Sequence, residues 1–453
     1  MLRDALDRTL LLMRDEISQH VTDDVLLAAL TETSVALVAD EKNLTSHSAQ
    51  SAYVTAAMLL ARSGHRVYLT APNVALLGNQ PPLASGKILD QLDKAGQNLL
   101  PGVSFSVDNA PPAVDLAILF GDTPWTGQAI RAVRLNATSW QAQIMPVESG
   151  KIWSAKNWPI GGMGAAALGA AEAFKIAMRR AGFAARDWSY FAELVAPTTG
   201  GYIDLAPRGM SEISSLDQID FISGGAITNC ALYALLRLPD LSGAARIIEH
   251  DIATVSNLNR GMLFLLTDLK EPKAEILSQY AQRNFPIVPV VSRYEPAAHH
   301  KIGPLSNTVL VGVDDIPTRW EVQRTWPNWL GIGATTHFSA MASFHTPDLP
   351  CAGCLHHVDD LERGQIPTVA FVSFWAGLWL ATLYLRHLSG HKSLKLDQQI
   401  YFSPLRPETI WTSPVQRRSD CPVGCGTKPL AFDKAASVAR ISAAKSGIIE
   451  LAS

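Results

Sequence analysis

Phe221-Ile-Ser-Gly-Gly-Ala-Ile-Thr-Asn-Cys-Ala-Leu232 is an apolar run that passes through two glycines into a helical pattern. At such a junction Gly224, Gly225 and Ala226 let backbone N–H groups approach a phosphate, whose charge the dipole of the following helix favours. Alone the signal is weak, because Thr228 stands where a third glycine is usual and glycine pairs at strand ends are often plain turns. The chain continues with Arg246-Ile-Ile-Glu-His-Asp-Ile-Ala-Thr-Val-Ser-Asn-Leu-Asn-Arg260 and Asp268-Leu-Lys-Glu-Pro-Lys-Ala274. Glu249 ends the second strand of this unit, about 20 residues past the glycine turn, where a carboxylate bonds ribose hydroxyls. Arg260 and Lys273 supply positive charge for a triphosphate. Isolated basic residues are usually solvated surface, but Ser-Asn-Leu-Asn-Arg followed by Lys273 at the next helix start argues for a site.

Working outward, Val309-Leu-Val-Gly-Val-Asp-Asp-Ile-Pro-Thr-Arg319 is a strand that ends in two acids. Strand-end carboxylates hold Mg²⁺ through its waters while the metal binds nucleotide phosphates, whereas an Asp immediately before a helix, here Asp315, is ordinarily its cap. Strands are expected at 219–225, 245–249 and 308–313, with helices at 231–238 and 273–285. The first half shows the same alternation: strands at 34–39 and 65–70 flank a helix at 48–63, strands follow at 103–107 and 114–120, and an Ala-rich helix covers 162–175. Strand–helix–strand units of this length require right-handed crossovers and parallel sheets. The fold class is therefore α/β, with two tandem Rossmann-like halves, 1–200 and 201–453, divided near the Pro- and Gly-containing stretch 196–201. No close sequence repeat accompanies the shared plan.

The 453 residues are 47% hydrophobic and 17% charged, below the roughly 25% charged of an average soluble chain, so much of the protein is buried and disorder is excluded. Lys+Arg 38 against Asp+Glu 41 leaves a net charge of -3, too little for a global field that would hold nucleic acid. The first 16 residues mix Asp, Arg and Glu with leucines, which reads as an amphipathic helix rather than a secretory signal and points to a cytoplasmic protein. Residues 366–385 carry no formal charge and are long enough to span a bilayer, yet Pro367, Thr368, Ser373, Gly377 and Thr382 dilute them, so a buried helix is expected and no membrane partner.

The five cysteines include Cys351-Ala-Gly-Cys354 and Cys421-Pro-Val-Gly-Cys425, with Cys230 apart. Short-spaced pairs in a cytoplasmic protein favour zinc, which four thiolates satisfy tetrahedrally, with His356 and His357 as substitute ligands. Cys230 reads as a small buried hydrophobe.

These motifs, from 219 to 426, resemble the adenylation domain of the ThiF and MoeB superfamily, which also contains the ubiquitin-activating enzymes. The resemblance implies that Glu249 holds ribose, that Asn257 and Arg260 contact phosphates, that Lys273 follows in its family place, and that Asp251 belongs to the same nucleotide-binding set. It makes Asp314 the magnesium ligand and Cys351, Cys354, Cys421 and Cys425 the zinc site. Glu249 replaces the usual Asp, the turn at 223–228 departs from the family's glycine loop, and Cys421 and Cys425 are separated by one extra residue. The interval 355–371, where thioester-forming members carry a nucleophile, holds no cysteine. A first half on the same plan without Ser-Asn-Leu-Asn-Arg resembles an inactive partner domain, giving a pseudo-dimer within one chain and leaving a homodimer open. The expected function is ATP-dependent adenylation of the C-terminal glycine of a ubiquitin-like protein, similar to activating enzymes of bacterial conjugation operons linked to phage defence, with a ubiquitin-conjugating-like enzyme as a further partner. The alternatives are a MoeB- or ThiF-like adenylyltransferase for sulfur transfer and a pseudoenzyme that binds a ubiquitin-like partner without turnover.

Overall fold

The protein is described by a computed structural model covering residues 1–107, 112–182, 189–359, 364–390, 397–408 and 410–425. Gly426 and the rest of the C-terminal segment assigned to the second half lie outside the described residues.

Strand order repeats between the halves. In the first, β1 (Ser34–Val38), β2 (Arg66–Thr70), β3 (Phe105–Val107), β4 (Val114–Phe120), β5 (Ala129–Ala137), β6 (Gln141–Met145) and β7 (Gly201–Asp204) form a sheet ordered β3-β2-β1-β4-β5-β6-β7. In the second, β8 (Ser215–Ile222), β9 (Ser242–Ile248), β10 (Ile287–Val290), β11 (Thr308–Val311), β12 (Trp329–Thr336), β13 (Ser339–His345), β14 (Gln399–Phe402) and β15 (Ile410–Ser413) are ordered β10-β9-β8-β11-β12-β13-β14-β15. Both sheets are parallel from their β3 or β10 edge through β5 or β12, and antiparallel strands extend the far side. Every residue of β4 and of β11 is buried, as expected of strands covered on both faces.

The expected strands all form, as β1 to β4, β8, β9 and β11, whereas the parallel strands β5, β10 and β12 were not expected, and the ends of other elements shift. Gly201–Asp204 pairs with β6, so the first sheet takes a strand from beyond the boundary expected at 200. The helix after the glycine turn spans Ala226–Leu235, earlier than 231–238. The helix Lys273–Ser278 stops well before 285: Phe285 precedes Pro286, which disfavours helical backbone, and it exchanges backbone hydrogen bonds with Gln282 at 3.0 and 2.9 Å.

Helices His47–Arg62 and Ile160–Gly182 cover one face of the first sheet, Ala226–Leu235 and Ala370–Leu388 one face of the second, and the two pairs pack on each other. Thr55 and Tyr233 share a hydroxyl–hydroxyl bond of 2.9 Å across this junction, and the Phe174 ring meets Phe371 at 5.4 Å. A Cβ at Gly377 would sit 2.5 Å from Ile227 O, so glycine there is what lets the two helices of the second half touch. One apolar core runs through both halves, each buried aromatic contributing about 1.5–3 kcal/mol. The uncharged stretch is thus core helix from Ala370 onward, and among the described residues no helix is long and apolar enough to cross a membrane.

Candidate functional site

A cavity of about 940 Å³ opens at the carboxyl ends of β8, β9 and β11, the end of a doubly wound sheet where ligands bind. Gly225, Ala226, Glu249, Asp251, Asn257, Arg260, Lys273 and Asp314 all line it. Gly224 stands just behind, packed so closely that a Cβ would be 3.3 Å from both Glu249 Cγ and Lys273 Cβ.

The glycine turn is built around Ser223, whose φ of 92° is the left-handed conformation that glycine takes more readily. Local bonds hold it there: Gly225 N donates to Ser223 Oγ at 2.9 Å and Thr228 Oγ1 donates to Ser223 O at 2.7 Å. Gly225 caps the helix Ala226–Leu235, which therefore presents its first N–H groups to the cavity.

Glu249 is fully engaged within the loop. Its Oε2 accepts from Gly224 N at 2.8 Å and Ser223 Oγ at 3.2 Å; its Oε1 accepts from His250 N at 2.8 Å and Asp251 N at 2.9 Å. A carboxylate offers about four acceptor positions, so as placed Glu249 ties the glycine turn to the end of β9 and has none left over for ribose. Asp251, exposed at the rim, pairs with Lys273 Nζ at 3.0 Å. Asn257 Oδ1 accepts from Thr254 N at 3.0 Å and Thr254 Oγ1 at 3.1 Å, making it a cap of the short helix Val255–Asn257.

Arg260 has no carboxylate within ion-pair distance among the described residues; its Nη1 donates to Ser256 O and, at 2.8 Å, to Asn259 Oδ1. Burial, reinforced by the charge of Arg8, pushes its guanidinium down to about 10, so it stays charged near neutrality. Arg8 arrives from the helix Asp7–Ile17 of the first half and lines the same cavity, donating to Ile366 O at 3.2 Å. Two neighbouring guanidinium groups facing a polar cavity form a place for an anion. Arg8 Nε is also 3.8 Å from Asp7 Oδ2, while Arg3 and Arg14, on the same N-terminal segment, pair with Asp24 and Asp23 and do not line the cavity.

Asp314 lies exposed past the end of β11, while Asp315 accepts from Thr318 N at 2.8 Å and caps the helix Ile316–Arg324. Arg319, given no role by sequence reasoning, donates from Nε at 3.0 Å and Nη2 at 2.7 Å to Val313 O and so fixes the turn that carries Asp314. His356 turns to Arg319, 3.1 Å from its Nη1, rather than toward the cysteines.

The four cysteines converge. Sulfur separations are 3.4 Å for Cys351–Cys421, 3.2 Å for Cys354–Cys425 and 3.9 Å for Cys351–Cys354. Sulfurs at about 2.3 Å from a tetrahedral zinc lie about 3.8 Å apart, so the quartet fits the ion as it stands. The fifth, Cys230, is fully buried and burial pushes its thiol up to about 12.

The equivalent place in the first half is filled by protein. Asn43 Nδ2 donates to Asp40 Oδ1 at 2.7 Å and Asp122 Oδ1 at 2.8 Å, and its Oδ1 accepts from Trp153 N at 2.8 Å. A Cβ on Gly121, just past β4, would be 1.9 Å from Asn43 Oδ1. Asp122 is further paired with Lys42 at 2.9 Å.

Comparison with known proteins treats the halves separately. Residues 34–191 match the BilD N-terminal domain family and residues 241–423 the ThiF family. The SAMP-activating enzyme E1 of Haloferax volcanii is 26% identical over 234 residues, which cover 49% of this chain and 85% of that enzyme. Among solved structures, E. coli MccB with succinimide aligns at a TM-score of 0.40 and 18% identity over 47% of this chain, and MccB with ATP at 0.39 and 16% over 46%. The chain spans 66% of either MccB chain, just under two thirds. The second half carries the ThiF family match, and together with the similarity to an E1 activating enzyme this supports the ThiF/MoeB superfamily reading for that half.

Proposed function

We propose that the second half adenylates the C-terminal glycine of a ubiquitin-like protein with ATP, and that the first half is its built-in, non-catalytic partner. The observation that carries the reading is the meeting, in one cavity, of the helix start at Gly225–Ala226, Lys273, Arg260 and an arginine from the other half, Arg8. In the reaction a carboxylate oxygen of the partner attacks the α-phosphorus, the bond to the bridging oxygen breaks, and pyrophosphate leaves as the acyl adenylate forms. Arg8, Arg260 and Lys273 offset charge that builds on the phosphate oxygens, in positions fixed before the substrate arrives. Asp314 is the residue to hold Mg²⁺, which supplies charge neutralisation on the phosphates. With Glu249 engaged, Asp251 at the rim is the carboxylate left to meet ribose. An E1 activating enzyme among the relatives supports the assignment.

The test is ATP–pyrophosphate exchange. Label should pass from pyrophosphate into ATP only when a ubiquitin-like partner ending in glycine is present, and deletion of that glycine should abolish it. Exchange that ignores the partner's C-terminus, or its absence with every candidate partner, rejects the reading and leaves a binding scaffold.

A further inference from the structure

The loop that carries Asn257 and Arg260 is held by a residue of the other half. Arg62, the last residue of the helix His47–Arg62, is fully buried and donates from Nη1 to Leu258 O and from Nη2 to Met262 O at 3.2 Å and Phe264 O at 2.7 Å. Leu258 and Met262 flank Arg260 on either side, so the guanidinium fixes the backbone from which Arg260 reaches into the cavity. Residues 258–264 form neither strand nor α-helix, and their inward carbonyls need donors that regular structure would otherwise provide.

Arg237 does the same in the opposite direction. It follows the helix Ala226–Leu235 as Arg62 ends its own, and it too is fully buried. It donates to Pro81 O at 2.5 Å and to Gln80 Oε1 at 3.1 Å, in the loop after β2 that corresponds to the loop after β9. Each half thus extends a fully buried arginine from the end of a core helix into a loop of the other, and the loop that Arg62 meets borders the open cavity.

We infer that Arg62 is a positioning residue for the nucleotide site, through which the first half sets the geometry of the phosphate-binding loop in the second. This rests on the adenylation reading for its effect on ATP, but not for its effect on the loop. Arg237 supplies the matched control, because its removal costs the same kind of buried contact without touching residues 256–264.

The experiment compares Arg62→Met, Arg62→Lys and Arg237→Met in the full chain by calorimetric titration with Mg·ATP, amide hydrogen exchange and thermal melting. Arg62→Met should raise the Kd for ATP about tenfold, Arg62→Lys should recover part of that loss, and Arg237→Met should stay within about twofold of wild type despite a comparable fall in melting temperature. Amide exchange should quicken over 256–264 in Arg62→Met and over 77–82 in Arg237→Met. Equal loss of ATP affinity in both methionine variants, or none in Arg62→Met, overturns the inference. Should wild type bind no ATP, the adenylation reading falls by itself, and exchange decides the positioning role: quickening confined to 256–264 supports it, and an unchanged loop overturns it. If Arg62→Met does not fold, Arg62→Lys bears the same readings.

Discussion

Asn259 Nδ2 donates to Thr9 Oγ1 at 3.1 Å, joining the loop that carries Arg260 in the second half to the N-terminal helix of the first. The hydroxyl of Thr9 donates to Thr368 O at 3.2 Å, and Thr368 N donates to Arg8 O at 3.2 Å. The helix is therefore fastened on two sides at the residue next to Arg8, which places that guanidinium beside Arg260 within the chain itself.

Arg8→Ala should lower pyrophosphate exchange by about 10- to 100-fold, the loss expected for one charge-assisted phosphate contact, while the melting temperature stays close to wild type. Arg3→Ala and Arg14→Ala remove surface pairs with Asp24 and Asp23 and should leave exchange intact. Exchange rates for the three variants decide it; full activity in Arg8→Ala would remove this arginine from the site.

Adjacent acids should separate cleanly. Asp314→Asn should cut exchange by about 100-fold or more at saturating ATP and Mg²⁺ without altering the melt, since an exposed strand-end carboxylate contributes little to the core. Asp315→Ala should do the reverse, costing about 1 kcal/mol through the lost cap of the helix Ile316–Arg324 and sparing turnover. Near-normal exchange in Asp314→Asn would sink the magnesium role.

Purified protein should contain one zinc, and chelation should lower its melting temperature, because the quartet ties 351–354 to 421–425 across the chain. Elemental analysis would settle this, with Cys421→Ser expected to lose the metal. The same arrangement predicts no thiol-sensitive adduct with the partner on a non-reducing gel: the four grouped thiols would be held by the zinc, and Cys230, buried with its thiol pushed up to about 12, is a poor nucleophile. An adduct that disappears in Cys421→Ser or Cys425→Ser would show that one ligand leaves the metal to react.

His65 gives the fold a definite acid sensitivity. Burial pushes its imidazole down to about 4, and its Nδ1 lies 3.0 Å from Leu30 O, so the folded protein keeps it neutral while the unfolded chain protonates near 6.5. Because the unfolded state binds the extra proton, this contribution is complete above about pH 6.5 and declines as pH falls toward 4, reaching about 2 kcal/mol of loss by pH 5. His65→Asn keeps a donor for Leu30 O but does not titrate; denaturant melts at pH 7 and pH 5 should lie closer together in the variant than in wild type.

Seven strands, among them β1, β4 and β11, and the cavity residues were legible because their signals are contiguous: apolar runs for the strands, and the motif residues between Glu249 and Lys273 for the site. β12 and β13 escaped notice because Gly331, Gly333, Ala340 and Ala342 give them little strand character, their extension being fixed by seven antiparallel pairs rather than by propensity. The engagement of Glu249 was hidden for another reason: two of its four donors, Gly224 N and Ser223 Oγ, belong to a turn about 25 residues away in the chain, and only the fold brings them to its Oε2. Arg62 is illegible in principle, since nothing near position 62 announces that its partners are carbonyls of the other half.

The side chain of Asn43, lodged where the first half would otherwise open, bears on how the molecule responds to ligand concentration. A symmetric dimer of such units has two equivalent clefts and hence the means for one occupied site to alter its twin. Here the twin is sealed by Asn43 and Trp153. On the adenylation reading each chain is then expected to take up a single equivalent of nucleotide along a simple hyperbola, with no threshold in its response to ATP.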